Sequence, residues 1–379
     1  MFDRSKTDDR RVIIVDFNHM AWAYAFGNAT SLSCTLKIDG EVVTVNTTIP
    51  AYTIKAIHRW ARGGINPIAV CFDGEASARC RKAYFAQQYG VKTDGKPQGY
   101  KARREVRDPK FYESINLTLN YLVKGGVACY KAEGYEADDL IKACVDNAKK
   151  NYPNLPIDII TGDADLVPLV DDQVSVFLRS VKSTFAVEKS IEKKHYVQIT
   201  PENYQSYIEG LSSYKNLRVP YNTLLLAKLL RGDKSDEIAG KSDWKPKMYN
   251  QLIEILEDSG EDLGELFRYD SPIKKYVYKG TTTEIPEELI PTVNKADIDI
   301  IYSEPPALTR ICEVLGQWCE PDDLVHIRRV YNGINLNGAF MDLPDGFKRQ
   351  PAKLKTPIAG YSSASLQSAV APLRINLYI

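Results

Sequence analysis

Ile-Asp-Ile-Ile-Thr-Gly-Asp at 157–163 is an apolar run that ends in an aspartate. The same arrangement occurs in Val-Ile-Ile-Val-Asp at 12–16 and in Ile-Ala-Val-Cys-Phe-Asp at 68–73. Short apolar runs indicate buried strands, and the helical patterns between them favour an α/β fold with a mainly parallel central sheet flanked by helices. Ligands of such sheets bind beyond the carboxyl ends of the strands. We therefore expect the three terminal aspartates to point into one cleft.

The pattern along the chain predicts three regions. The first is an α/β core over 1–185 with a long insertion at about 74–110, where no clean period is found. Asp39-Gly40 lies between alternating runs and predicts a small hairpin over 35–46. A helix-turn-helix-like region follows over 186–260. Residues 261–379 are predicted to be a helical C-terminal domain with a tail rich in Ser, Ala and Pro.

Composition limits the class of protein. The chain has 379 residues, of which 44% are hydrophobic, a normal globular value. No apolar run reaches the roughly 18 residues of a membrane span, and the charged start lacks a signal peptide, so we expect a cytoplasmic, monomeric protein without a membrane partner. The 7 cysteines contain no CxxC pair and are expected to be buried free thiols. The 4 histidines form no zinc motif.

Charge is unevenly distributed although the net charge is zero. Residues 74–110 carry 10 basic and 4 acidic side chains, whereas residues 136–172 carry 9 acidic and 3 basic ones. A basic segment neutralises backbone phosphates, and an acidic segment holds metal ions. This combination is typical of an enzyme that acts on a phosphate polyanion.

Carboxylates recur at strand ends and helix starts. The candidates are Asp16, Asp73, Glu136, Asp138, Asp139, Asp163, Asp165, Asp233 and Asp236. Hard oxygen ligands suit Mg²⁺ or Mn²⁺, and two such ions can activate a water and stabilise the leaving oxygen of a phosphodiester. Each carboxylate by itself is more often a turn former or a helix cap, and a charged stretch is more often a solvated surface. The ordered set favours a metal site.

Six motifs occur in a fixed order. They are Val-Asp-Phe-Asn-His at 15–19, Phe-Asp-Gly at 72–74, Tyr-Lys-Ala-Arg-Arg at 100–104, Glu-Gly-Tyr-Glu-Ala-Asp-Asp at 133–139, Thr-Gly-Asp-Ala-Asp-Leu at 161–166 and Gly-Asp-Lys-Ser-Asp-Glu-Ile-Ala-Gly at 232–240. Over roughly 11–260, the chain resembles the 5′-nuclease family of flap endonucleases, polymerase 5′-nuclease domains and phage 5′→3′ exonucleases. Within it, Lys-Leu-Leu-Arg-Gly-Asp-Lys-Ser-Asp at 228–236 is most similar to phage-type ribonuclease H.

The resemblance implies a PIN-like core that hydrolyses phosphodiesters near 5′ ends of DNA or RNA–DNA duplexes, with two Mg²⁺ ions for which Mn²⁺ substitutes. It assigns Asp16, Asp73, Asp138 and Asp163 to the first metal, supported by Glu136 and Asp139. Asp165, Asp233 and Asp236 are assigned to the second. Lys101 and Arg104 are the implied catalytic pair on an arch over the single-stranded 5′ end.

The resemblance also implies nucleic-acid contacts and partners. The region 186–260 is expected to bind duplex, but its turn at 240–247 lacks the Gly-x-Gly of most relatives, so lysines are expected to contact phosphates there. The expected contacts are Arg79, Arg81, Lys82, Lys92, Lys96, Arg103, Lys241, Lys245 and Lys247. A single-strand binding protein or a sliding clamp is an expected partner, and primer removal in a phage-infected cell is the expected setting. The alternatives are a PIN-type ribonuclease and a structure-specific binding protein.

Overall fold

The computed structural model describes residues 9–25, 31–38, 40–89, 100–101, 108–179, 196–211, 214–233, 236–241, 244–270, 272–336, 350–354 and 356–377. Internal contacts divide the chain into two compact units. Unit 1 comprises Met1–Ser77, Arg104–Asn203 and Ala352–Ile379, and unit 2 comprises Ala78–Arg103 and Tyr204–Pro351.

The elements are numbered in chain order. The strands are β1 (Val12–Asp16), β2 (Ser33–Ile38), β3 (Glu41–Asn46), β4 (Ile68–Cys71), β5 (Ala128–Tyr130), β6 (Ile157–Thr161), β7 (Val174–Arg179), β8 (Tyr196–Ile199), β9 (Gly232–Asp233), β10 (Ile238–Ala239), β11 (Ile273–Tyr278) and β12 (Ile298–Ser303). The α-helices are α1 (Phe17–Ala25), α2 (Thr48–Trp60), α3 (Arg79–Tyr89), α4 (Pro109–Lys124), α5 (Ala137–Asn151), α6 (Tyr204–Glu209), α7 (Leu224–Arg231), α8 (Pro246–Asp258), α9 (Leu263–Leu266), α10 (Pro306–Leu315), α11 (Pro321–Ile334) and α12 (Ser363–Val370).

The main sheet of unit 1 has six strands in the order β5-β4-β1-β6-β7-β8. All neighbours are parallel except β7 and β8, which are antiparallel. The predicted mainly parallel sheet is therefore confirmed, and so is the hairpin of β2 and β3. The strands β7 and β8 were not predicted. Buried and half-buried residues alternate along β7, as is typical of a strand near the edge of a sheet, so β7 is not a continuously buried apolar run.

Burial explains why these segments become strands and helices. Every residue of β1 and β6 is buried, as expected for central parallel strands. The helix α4 begins at a favourable signal, because Asp108 accepts the backbone N–H of Lys110 and Pro109 follows it. Its apolar face, including Ile115 and Leu122, joins the hydrophobic core of unit 1.

The chain's C-terminal end corrects the predicted domain boundaries. Residues 352–379 belong to unit 1 and not to a separate C-terminal domain. The reason is apolar packing: Leu366 and Val370 of α12 are buried in the unit 1 core, and Ile68 pairs with Ala359 in an isolated bridge. Conversely, Ala78–Arg103, which includes much of the predicted insertion, clusters with unit 2.

The predicted helical region 261–379 also contains two paired strands. The strands β11 and β12 pair antiparallel from Ile273↔Ser303 to Tyr278↔Ile298. Their sequences, Ile-Lys-Lys-Tyr-Val-Tyr and Ile-Asp-Ile-Ile-Tyr-Ser, are rich in β-branched and aromatic residues, which prefer strands. Unit 2 also contains the short pair β9 and β10 and the helices α3 and α6 to α11, of which α11 packs against α7, α10 and α3.

The seven cysteines are free thiols, and all of them except Cys129 are buried as predicted. Cys71 and Cys144 are buried with their Sγ atoms 3.7 Å apart. Within the described ranges, no helix has both the length and the apolar character needed to cross a membrane.

Candidate active site

The order of the sheet brings the three strand-end aspartates together. The strand β1 lies between β4 and β6, so that Asp16, Asp73 and Asp163 follow three adjacent strands at their carboxyl ends. Neighbouring strands lie about 4.8 Å apart. The chain also switches sides at β1, since β4 and β5 extend the sheet one way and β6 and β7 the other. Such switch points are where open α/β sheets bind ligands.

Asp16 is a buried carboxylate, only 4% exposed. Its Oδ2 accepts the Thr161 hydroxyl at 2.8 Å, and its Oδ1 accepts the backbone N–H of His19 at 3.2 Å. Burial raises the pKa of Asp16, the nearby His19 opposes this shift, and the charge of Asp163 adds to it. A desolvated carboxylate beside another carboxylate is stabilised by a cation.

Asp73 is fixed by contacts on both carboxylate oxygens. Its Oδ2 accepts the Asn18 side-chain amide at 2.9 Å, and its backbone N–H donates to Asn18 Oδ1 at 3.1 Å. Its Oδ1 accepts the backbone N–H of Ala137, the first residue of α5, at 2.9 Å. The N-terminus of a helix favours negative charge. This contact joins the end of β4 to the acidic start of α5.

The start of α5 carries the next three predicted ligands. Glu136 and Asp139 form a capping box, in which the Asp139 carboxylate accepts the Glu136 backbone N–H at 3.0 Å. Both residues are buried, Asp139 completely. Asp138 is half-buried beside them. The helix cap and the acidic cluster are thus built from the same side chains.

Asp163 is linked to Asp16 through Thr161. The Asp163 backbone N–H donates to Thr161 Oγ1 at 2.9 Å, and the same hydroxyl donates to Asp16. The Asp163 side chain caps the following short 3₁₀ helix by accepting the Asp165 N–H at 3.0 Å. A Cβ at Gly162 would lie 1.8 Å from His19 Nε2, so a larger residue there would displace the His19 ring.

The predicted ligands of the second metal fall in both units. Asp165 is half-buried in unit 1, and Asp233 and Asp236 are buried in unit 2. Lys228 Nζ lies 2.7 Å from Asp233 Oδ2, and both side chains are buried. Lys101 Nζ lies 3.9 Å from Asp236 Oδ1, and the Lys101 backbone N–H donates to the Asp236 carbonyl at 2.9 Å.

The predicted nucleic-acid contacts differ in exposure. Arg79, Lys82, Lys245 and Lys247 are exposed. Arg81, by contrast, is 2% exposed and its Nε donates to the Gly333 carbonyl, so it serves packing within unit 2.

Lys241 also has a partner in the protein. Its Nζ lies 2.7 Å from Asp323 Oδ1 in α11, which lowers the pKa of Asp323 despite partial burial. The predicted residues Lys92, Lys96, Arg103 and Arg104 lie outside the described residues.

Two results qualify the sequence-based assignment. Among the residues described, no group of three or more Asp, Glu, His or Cys side chains is positioned to hold a metal ion by itself. Three residues that contact the predicted carboxylates were also not predicted from the sequence: Asn18, Thr161 and Lys228. Asn18 and Thr161 each lie two residues from a strand-end aspartate, which was the available signal.

Residues 11–197 match the family model of the 5′-3′ exonuclease N-terminal resolvase-like domain. Residues 11–197 of this chain form a domain of the 5′-3′ exonuclease family. The match includes the sheet and every unit 1 carboxylate described above, whereas Asp233, Asp236 and α11 lie beyond it.

Individual relatives agree with the family. The chain is 29% identical over 181 residues to DNA polymerase I of Caldicellulosiruptor bescii, covering 48% of this chain and 19% of the relative. It is 32% identical over 163 residues to the 5′-3′ exonuclease of Mycoplasma genitalium, covering 43% of this chain and 48% of the relative. The chain thus spans about a fifth to a half of these relatives. A T5 5′-exonuclease structure with bound zinc ions aligns over 86% of this chain and 90% of its own, with 16% identity and TM-score 0.47.

Proposed function

We propose that this protein is a divalent-metal-dependent 5′→3′ exonuclease and flap endonuclease that hydrolyses phosphodiesters near the 5′ ends of DNA or RNA–DNA duplexes. The observation that carries the proposal is the position of Asp16, Asp73 and Asp163 at the carboxyl ends of three adjacent strands, with Asp73 hydrogen-bonded to the acidic start of α5. The family match over 11–197 supports the reaction class.

The donor set fits a hard divalent cation. All of the candidate ligands are carboxylates, and the cysteines and zinc-type histidine motifs that softer metals prefer are not among them. Mg²⁺ usually keeps several waters and is bound through one or two carboxylates, which are the donors that this set supplies. When bound, such an ion polarises the phosphate and lowers the pKa of a coordinated water.

The protein's own residues would orient the reactants. Asp16, Asp73, Asp138 and Asp163 would hold the first ion, and Asn18 and Thr161 fix two of these carboxylates by hydrogen bonds. Lys101 would stabilise charge on the scissile phosphate. The exposed Lys245 and Lys247 at the start of α8 would track a duplex backbone, and affinity should then fall steeply with salt.

We further propose RNA primer removal as the setting, with Mg²⁺ as the ion and two ions per site. A single-strand binding protein or a clamp would act with the unit 2 region. The support is the resemblance of 228–236 to phage-type ribonuclease H.

A cleavage assay tests the proposal. The substrates are 5′-flap, nicked and RNA-primed duplexes and a circular single strand, each with Mg²⁺ and with EDTA. We expect cleavage of the first three in Mg²⁺ only, and an intact circle. Cleavage of the circle would favour a PIN-type ribonuclease, and cleavage in EDTA would rule out metal dependence. Binding of the flap without any cleavage would favour a structure-specific binding protein.

A further inference from the structure

The helix α11 contacts the first helix of the predicted arch within unit 2. Arg81 Nε donates to the Gly333 carbonyl at 3.2 Å, and the Tyr84 hydroxyl donates to the Arg329 carbonyl at 3.1 Å. The Phe85 ring lies against Gly333 so closely that a Cβ there would be 2.2 Å from Phe85 Cζ. The helix α3 is therefore seated on α11 by two hydrogen bonds and one ring contact.

Ring contacts connect Phe85 of α3 to Lys101. Phe85 is fully buried and its ring stacks on Tyr100 with centroids 5.9 Å apart at 18°. Lys101 Nζ lies 4.5 Å from the Tyr100 centroid, and Arg81 Cζ lies 5.8 Å from it. An ammonium over an aromatic ring is attracted by the ring's electron density. Tyr100 thus connects the α3–α11 contact to Lys101.

Lys101 is held in a demanding conformation. Its φ of 49° is in the left-handed region, which a non-glycine residue adopts only when its surroundings enforce it. The side chain is buried at 7% exposure, and both its backbone N–H and its ammonium are directed to Asp236. A position of this kind depends on the packing around it.

We propose that α11 is a positioning element for Lys101, acting through Gly333, Phe85 and Tyr100. The helix lies outside the matched exonuclease domain, so this gives the C-terminal part of the chain a role within its own unit. The catalytic part of the inference rests on the proposed function, in which Lys101 contacts the scissile phosphate. The positioning part does not.

Acetylation of lysines measures the positioning directly. The full-length protein is treated briefly with acetic anhydride, and modification of Lys101 is followed by mass spectrometry, with the exposed Lys245 and Lys247 as internal standards. Gly333→Ala should raise the relative rate at Lys101 about fivefold or more, because overpacking displaces Phe85. Alanine is the better helix former, so loss of helix is not the cause. Phe85→Leu alone removes the ring that stacks on Tyr100 and should also raise the Lys101 rate, without overpacking α11.

A second variant guards against a folding defect. Tyr84→Phe removes only one hydroxyl and should raise the Lys101 rate about threefold. Unchanged Lys101 rates in both variants, with melting curves that confirm folding, would overturn the proposal.

Cleavage of a 5′ flap is measured in parallel. Gly333→Ala should lower the single-turnover rate and leave substrate affinity unchanged. If the wild-type protein cleaves nothing, the proposed function fails, whereas the acetylation rates still decide whether α11 positions Lys101.

Discussion

The aspartates at the sheet edge have different partners from Asp233 and Asp236, which lie at the β9–β10 turn. Asp16 and Asp73 accept hydrogen bonds from a hydroxyl, a side-chain amide and backbone N–H groups, which carry no net charge. Asp233 and Asp236 instead lie beside the ammonium groups of buried lysines. The hydrogen bonds of Asp16 orient its carboxylate, whereas Lys228 and Lys101 compensate the charge of the aspartates at the β9–β10 turn.

We therefore expect the aspartates at the sheet edge to matter mainly for function and those at the β9–β10 turn to matter mainly for stability. Neutralising a desolvated carboxylate at the sheet edge removes an unfavourable burial, whereas neutralising one partner of a buried ion pair leaves the other charge uncompensated. The two groups of aspartates should therefore respond to the same chemical change with opposite effects on stability. The following predictions test this contrast.

The largest effect is expected for Asp163→Asn. Cleavage of a 5′-flap duplex should fall about a thousandfold or more, because several kcal/mol of charge stabilisation are lost. Duplex binding, measured by fluorescence anisotropy in EDTA, should be nearly unchanged. Undiminished turnover by this variant would show that the sheet edge is not the reaction centre.

Changes at the β9–β10 turn should alter the stability of the protein. Lys228→Met leaves the buried Asp233 without its 2.7 Å partner and should cost about 3–5 kcal/mol in the free energy of unfolding. Urea denaturation measures this loss. Adding Asp233→Asn should recover most of it, while Asp16→Asn alone should not destabilise. Equal destabilisation by Asp16→Asn and Lys228→Met would remove the contrast.

Much of the sheet edge was predictable and much of unit 2 was not. The buried strands and their terminal aspartates follow from local apolar runs, so the sequence alone placed Asp16, Asp73 and Asp163 at one edge. Tertiary contacts decided the rest. The packing of α12 in the unit 1 core has no local signal, and the pairing of β11 with β12 joins segments that are separated in the sequence, although each has the composition of a strand. The sequence also gives no sign that Lys228 is buried, because lysines in helices are mostly exposed.

A smaller effect is expected from the hydroxyl that links Asp16 and Asp163. Thr161→Val keeps the shape but removes both hydrogen bonds, and flap cleavage should fall about 10- to 100-fold, as for other residues that orient metal ligands. Thr161→Ser retains the hydroxyl and should recover most of the rate. A serine variant as slow as the valine variant would indicate a packing role for Thr161.

The smallest effect concerns acid stability. Burial lowers the pKa of His58, and burial with nearby Arg329 and Lys241 lowers that of His326. The unfolded chain then binds more protons than the folded one, so stability is complete above about pH 6.5 and falls as the pH drops below it. Melting temperatures from pH 8 to 5 measure this. His326→Gln should flatten the profile, and an unaltered slope would assign it to other groups.

Titration of Mn²⁺ into the protein, followed by calorimetry, tests the central claim most directly. The wild-type protein should bind the ion, and Asp16→Asn should weaken this binding by about tenfold or more while its melting temperature does not fall. Unchanged Mn²⁺ affinity in Asp16→Asn would contradict the assignment of the cation site to the carboxyl ends of the three adjacent strands.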